Sequence, residues 1–132
     1  MGPLVDTSVL VDFFGGARTR EADVLDRCLE EGVPPATAPV IVQEFLQGFS
    51  RSNDNDIETA RLYLSQFERL PPPGYDAHER AASLHRAARQ KGYTIPTVDA
   101  IIVEIARRAG LPLLTSDAHQ RRLAKVSGVD LS

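Results

Sequence analysis

Apolar and polar positions along the chain fall into two alternating kinds of segment: short, almost wholly apolar runs, and longer stretches in which apolar residues return every three or four places. The first kind predicts strands at residues 4–6 and 111–115, shorter ones at 35–38 and 67–70, and a weak last one at 128–131. The second predicts helices at 8–14, 20–31, 39–48, 57–66, 76–90, 97–109 and 117–124. Punctuation supports these limits. Gly15-Gly16 stops the first helix, Gly32 the second and Gly110 the sixth, while Pro39 sits in the first turn of the third. Strands separated by helices pair in parallel through crossover connections, which predicts an α/β class, specifically an α/β/α sandwich around a short, mainly parallel sheet.

In such sheets, ligands gather beyond the carboxyl ends of the strands. Asp6 and Asp117 each follow an apolar strand directly, so the topology sets two distant acids on one edge. The linker Pro71-Pro72-Pro73-Gly74 is too short to separate domains, and residues 1–132 read as a single domain.

Composition narrows the function classes. No segment approaches the roughly 20 apolar residues of a membrane span. Asp6 and Asp12 interrupt the N-terminal apolar stretch, which argues against a secretory leader and for a cytoplasmic protein. The single Cys28, read as a buried or half-buried helix residue, has no second thiol for a disulfide or a cysteine-based zinc site. A net charge of −3 argues against a wholly basic, nucleic-acid-clasping surface. Acids gathered in one pocket around cations would hide negative charge and leave Arg-rich helices to face a polyanion.

Four acids carry candidate chemistry: Asp6, Glu44, Asp99 and Asp117. Asp6-Thr7-Ser8 at a strand-to-helix corner suits a hard cation, and it is equally the signature of a helix N-cap. Glu44 adjoins the apolar stripe of Val40, Ile41, Phe45 and Leu46, where a solvated face is the alternative. Asp99 opens the most apolar helix, where interaction with the helix dipole is the alternative. Glu104 has Arg108 four places on and reads as an exposed ion pair outside the site. Carboxylates held close together cannot all ionise unless cations intervene, and oxygen-only donors without paired Cys or His favour Mg²⁺ or Mn²⁺ over zinc.

Asp6-Thr7-Ser8, the Gln43-Glu44-Phe45-Leu46-Gln47-Gly48 segment, Thr97-Val98-Asp99-Ala100-Ile101-Ile102 and Leu114-Thr115-Ser116-Asp117 occur in the order and approximate spacing of a PIN-domain ribonuclease. Over its full length the chain resembles the VapC toxins of type II toxin–antitoxin modules. The resemblance implies Mg²⁺- or Mn²⁺-dependent RNA cleavage, with transfer and ribosomal RNA among the candidate substrates. It assigns the catalytic and metal-binding acids to Asp6, Glu44, Asp99 and Asp117. Asp6 and Asp99 ligate directly in this reading, Glu44 ligates or orients water, and Asp117 completes a second site or acts through water. Thr7 and Ser116 support the acids, and the hydroxyls of Thr7 and Ser8 cap the first helix. The resemblance also implies a homodimer and a small VapB-like antitoxin whose basic side chain enters the acidic pocket.

The chain departs from this pattern after the fourth acid. Many relatives carry another acid two places on, where this chain has His119 and then Gln120. His119 reads as solvated, His78 and His85 as surface or packing residues, and Asp12 as solvent-facing or capping. Arg107, Arg108, Arg121, Arg122 and Lys125 lie near the C-terminal acids and would position RNA phosphates if they flank the pocket. Two rival readings use the same pattern. One is a PIN nuclease of RNA maturation or decay without an antitoxin. The other is a Mg²⁺-binding phospho-accepting receiver domain, which needs an acid pair after its first strand and a late Lys where this chain has Asp6-Thr7 and Thr115-Ser116-Asp117.

Overall fold

The computed structural model describes residues 1–49 and 54–132, the side chain of residue 54 aside. In chain order the elements are β1 (Leu4–Val5), α1 (Thr7–Phe14), α2 (Arg20–Glu30), β2 (Ala36–Thr37), α3 (Pro39–Gln47), α4 (Asp54–Leu64), β3 (Glu68–Arg69), α5 (Tyr75–Gln90), α6 (Thr97–Ala109), β4 (Leu113–Leu114) and α7 (Ala118–Ser127). The result is a mainly helical α/β fold around a four-stranded sheet of order β3-β2-β1-β4. Every pairing in it is parallel, as the alternation of elements predicts.

The strands are shorter than the apolar runs that announce them. Proline is the physical reason. The carbonyls of Pro3, Pro35 and Pro112 accept from Ala36, Glu68 and Leu4 at 2.8, 2.8 and 2.9 Å, but proline has no N–H with which to extend the ladder backwards. The expected strand at 128–131 shrinks to an isolated bridge between Leu131 and Leu113. Here α7 continues to Ser127, and Gly128, at φ 79°, turns the chain out of it.

β1 and β4 lie side by side in register, Leu4 against Leu113 and Val5 against Leu114, all fully buried. Extending that register by one residue sets Asp6 beside Thr115, so the site begins where the central ladder ends. Ile41 and Phe45 of α3, Ile102 of α6 and Leu123 of α7 join the same core. The helices α5, α6 and α7 pack on one another, α1 packs on α2 and α3, and α3 meets α6. Ring contacts among Phe13, Phe14, Phe45, Phe49, Tyr63 and Phe67, with centroids 4.8–5.9 Å apart, commit these aromatics to packing. Among the described residues no helix is long and apolar enough to cross a membrane.

One expectation about α6 fails. Glu104 is buried, 3% exposed, and its carboxylate is gripped by Arg107 at 2.7 and 2.8 Å and by Arg108 at 2.8 Å. Helices α5 and α7 both pack against α6, so a position that helical spacing alone assigns to solvent is covered. The guanidinium groups, rather than water, satisfy it. Arg108 also reaches Asp76 of α5.

Candidate metal centre

The chain leaves β1 in an extended conformation at Asp6 (φ −69°, ψ 154°), which is the N-cap of α1. Its carboxylate is 4% exposed. Oδ2 accepts from Ser8 Oγ at 2.7 Å, Thr115 Oγ1 at 3.0 Å and Ser8 N at 3.4 Å, while Oδ1 accepts from Gln120 Nε2 at 3.4 Å. Burial pushes the Asp6 carboxyl above its usual range, and the bonds from Ser8 and Thr115 pull the other way.

This arrangement corrects one half of the expected division of the tripeptide, the cap. Asp6 itself caps α1, and the hydroxyls of Thr7 and Ser8 do not. An N-cap carboxylate that accepts the amide two residues on leaves the next two hydroxyls free to donate. Ser8 donates to Asp6, and Thr7 Oγ1 donates to Glu44 Oε1 at 2.9 Å, tying α1 to α3.

Across the sheet edge, Asp117 caps α7, its Oδ1 accepting from the amides of His119 at 2.7 Å and Gln120 at 3.3 Å. Its own N–H donates to Thr115 Oγ1 at 3.0 Å, so one threonine hydroxyl serves both strand-end acids. Gln120, in the first turn of α7, is fully buried and donates from Nε2 to Asp99 Oδ1 at 3.1 Å as well as to Asp6. Asp99 lies in the first turn of α6, and its carboxyl is pushed up to about 6. Burial is the largest cause, followed by the charges of Asp117 and Asp6; Glu44 adds a smaller push, and the Gln120 bond opposes them. The four candidate acids therefore stand in one electrostatic neighbourhood, brought there by the ends of β1 and β4 and by α3 and α6.

Other candidates lie at the rim or outside it. Ser116 is exposed; its amide donates to Ser8 Oγ at 3.1 Å and its hydroxyl to Asp12 Oδ2 at 3.2 Å, so it reaches the site acids only through Ser8. Asp12 is half-buried through that bond rather than facing solvent. His119 is also half-buried, with a buried Nδ1 that has no partner among the described residues, where the sequence suggested a solvated ring. His78 and His85 hold the carbonyls of Gly74 and Ile95, each at 2.7 Å, as packing residues do. Cys28 is half-buried.

The basic residues are largely committed. Arg107 and Arg108, about 12 and 14 Å along the α6 axis from Asp99 by the helical rise, serve Glu104. Arg121 binds Glu21 at 2.7 Å and the Thr115 carbonyl at 3.2 Å, and Arg122 lies 5.2 Å over the Tyr93 ring. Of this group, Arg121 touches the edge of the acid site.

Sequence reasoning overlooked Thr115 and Gln120. The first carries a legible signal, a hydroxyl ending the run that pairs with β1; the second carries only its place three residues after a capping Asp.

The donor chemistry suits a hard divalent cation: carboxylate and hydroxyl oxygens, with no thiol. Among the described residues no group of three His, Cys, Asp or Glu side chains forms a ready-made cage.

Comparison with known proteins agrees with this geometry. Over nearly the whole chain the fold is similar to a toxin–antitoxin complex from Klebsiella pneumoniae, with a TM-score of 0.71 and 26% identity across 97% of this chain and 95% of that one. It is similar to VapBC2 from Rickettsia felis, crystallised with a DNA fragment of the promoter, with a TM-score of 0.78 and 17% identity over 100% and 98% of the chains. Mycobacterium tuberculosis VapC20, described as a Sarcin-Ricin loop cleaving toxin, gives 0.67 and 20% over 89% and 92%. No curated protein sequence matches the chain. The PIN domain family model matches residues 4–126, and the chain belongs to the PIN-domain family.

Proposed function

We propose that this chain is a divalent-metal-dependent endoribonuclease that serves as the toxin of a type II toxin–antitoxin module. One observation carries the reading: a continuous hydrogen-bonded path runs from Asp99 through Gln120 to Asp6, and through Thr115 to the cap of α7 at Asp117. Acids so joined, with Glu44 oriented nearby by Thr7, form a site whose charge calls for a cation. Relatives of the same fold that are named as VapBC toxins and as a Sarcin-Ricin loop cleaving toxin support RNA as the substrate class.

In this reading Asp6 and Asp99 hold Mg²⁺ or Mn²⁺. Asp117, whose Oδ1 is taken up by the α7 cap, would have its other oxygen free to help hold the cation. When bound, the cation acidifies the attacking water and offsets the charge that develops on the phosphate. Glu44 orients that water, its carboxylate fixed by the Thr7 hydroxyl. The water gives up a proton to solvent as its oxygen bonds to phosphorus and the opposite P–O bond breaks, and the departing ribose oxygen takes up a proton from solvent.

An acidic pocket complements a basic side chain, so a small VapB-like antitoxin that inserts one would silence the site. The active form in this reading is a cytoplasmic homodimer. Purified protein is expected to cleave structured RNA, transfer or ribosomal, with Mg²⁺ or Mn²⁺. Asp6→Asn and Asp99→Asn each abolish cleavage while the circular dichroism spectrum is kept. Expression of the wild type arrests growth, and the same substitutions relieve the arrest. Equal cleavage in EDTA overturns the metal mechanism.

A further inference from the structure

Gln120 is the most deeply buried polar side chain at the site, with none of its surface exposed. Its Nε2 donates to Asp99 Oδ1 at 3.1 Å and Asp6 Oδ1 at 3.4 Å, one N–H to each acid, while its Oε1 has no partner among the described residues. The orientation follows from chemistry, because the flipped amide would aim its carbonyl at two carboxylates. A buried carbonyl without a partner is unfavourable, and an apolar residue of the same volume would avoid it. What remains for the residue to provide is the pair of donors.

Charge explains why an amide serves here. A Lys or Arg between Asp6 and Asp99 would neutralise them and compete with any cation, whereas an amide orients both without cancelling either charge. Asp6 Oδ2 is already taken up by Ser8 and Thr115, so Oδ1, the oxygen that Gln120 holds, is the one left to face a ligand.

We propose that Gln120 is a positioning residue that sets the Asp6–Asp99 pair for a divalent cation, an inference that rests on the metal reading above. Partners of this kind, one bond behind the ligands, typically change metal affinity roughly 10- to 100-fold when removed.

The test is Mn²⁺ binding by calorimetry to the wild type, Gln120→Met and Asp99→Asn, with thermal melting of each. Methionine keeps the volume and removes both donors. The expected result is a wild type that binds Mn²⁺, an Asp99→Asn protein that does not, and a Gln120→Met protein that melts close to the wild type yet binds roughly 10- to 100-fold more weakly. A Gln120→Met affinity equal to that of the wild type overturns the positioning role and leaves the metal reading standing. Absence of Mn²⁺ binding by the wild type overturns both. A second measurement needs no variant to fold: in the nitrogen-15 spectrum of the wild type, the Gln120 side-chain amide protons exchange slowly and their shifts move on Mg²⁺ titration. Fast exchange with no response to Mg²⁺ overturns the proposal independently.

Discussion

Thr115 Oγ1 donates to Asp6 Oδ2 at 3.0 Å, joining residues 109 positions apart where β4 and β1 end side by side. The same oxygen accepts the Asp117 N–H at 3.0 Å, so the start of α7 and the first acid share one anchor. The hydroxyl is buried with the rest of Thr115, which is 3% exposed. Water therefore cannot readily replace it.

Thr115→Val keeps the shape of the side chain and removes both bonds. The Asp117 amide loses its acceptor and Asp6 loses one of its donors, for an expected destabilisation of about 1–3 kcal/mol in the metal-free protein. Mn²⁺ affinity should fall roughly 10-fold or more, as expected for a group that orients a ligand. Thr115→Ser should recover most of both. Thermal melting and Mn²⁺ calorimetry on the pair check this, and a valine variant indistinguishable from wild type in both would remove the anchor role.

Asp99 gives the metal-free protein an unusual pH dependence. Its carboxyl is raised to about 6 by burial and by the charges of Asp117 and Asp6, from the ordinary value of 3.8 that it regains on unfolding. Between those values the folded state holds the proton more often than the unfolded state, so stability falls as pH rises. The loss begins near the unfolded value, is complete just above the folded one, and is on the order of 1 kcal/mol once solvent screening of this half-buried group is allowed for. In EDTA, the melting temperature should therefore drop between about pH 4 and 6. Asp99→Asn should lose that component of the slope and be more stable than the wild type at pH 7. Saturating Mg²⁺ should restore the wild type at pH 7, where the carboxylate is free to bind. A wild type whose melting temperature does not fall relative to that of Asp99→Asn through this window would contradict the assignment.

How much of this was legible in the sequence differs between the sheet and the side chains. Parallel order followed from strands alternating with helices, and with it the meeting of Asp6 and Asp117, because both depend only on chain direction. Strand length did not follow, since Pro3, Pro35 and Pro112 look like ordinary members of apolar runs until their carbonyls are seen to begin the ladders. Glu44 and Asp99 stood out as acids on apolar helices, and Thr7, which holds Glu44, as a hydroxyl beside the first acid, whereas Gln120, which holds Asp99, looked like any polar residue next to a helix cap. Arg121, one of the basic residues read as placing RNA phosphates if they flank the pocket, bonds to Glu21, an acid 100 residues earlier that no local pattern connects with it. Side-chain partners across such separations are set by packing, which periodicity does not encode.

Glu104 shares α6 with Asp99 and titrates in the opposite sense. Burial alone would raise its carboxyl, but the hydrogen bonds and charges of Arg107 and Arg108 outweigh that and hold it below the ordinary 4.5. A depressed carboxyl stabilises the fold above the unfolded value, and that contribution is lost as pH falls through the folded one. Glu104→Gln keeps the size and an acceptor oxygen but gives up the charge. Because solvent reaches both guanidinium groups, the expected destabilisation at pH 7 is on the order of 1 kcal/mol, or about 4 °C in melting temperature for a domain of this size. The difference from wild type should shrink as pH drops below the ordinary 4.5 and on through the lower folded value, where the carboxyl protonates. Mn²⁺ affinity should be unchanged, since the Glu104 carboxylate is taken up by Arg107 and Arg108, which lie more than about two turns along α6 from Asp99. A Glu104→Gln protein that melted normally but lost Mn²⁺ would place this acid in the site and overturn its assignment as a structural clasp between α6 and α5.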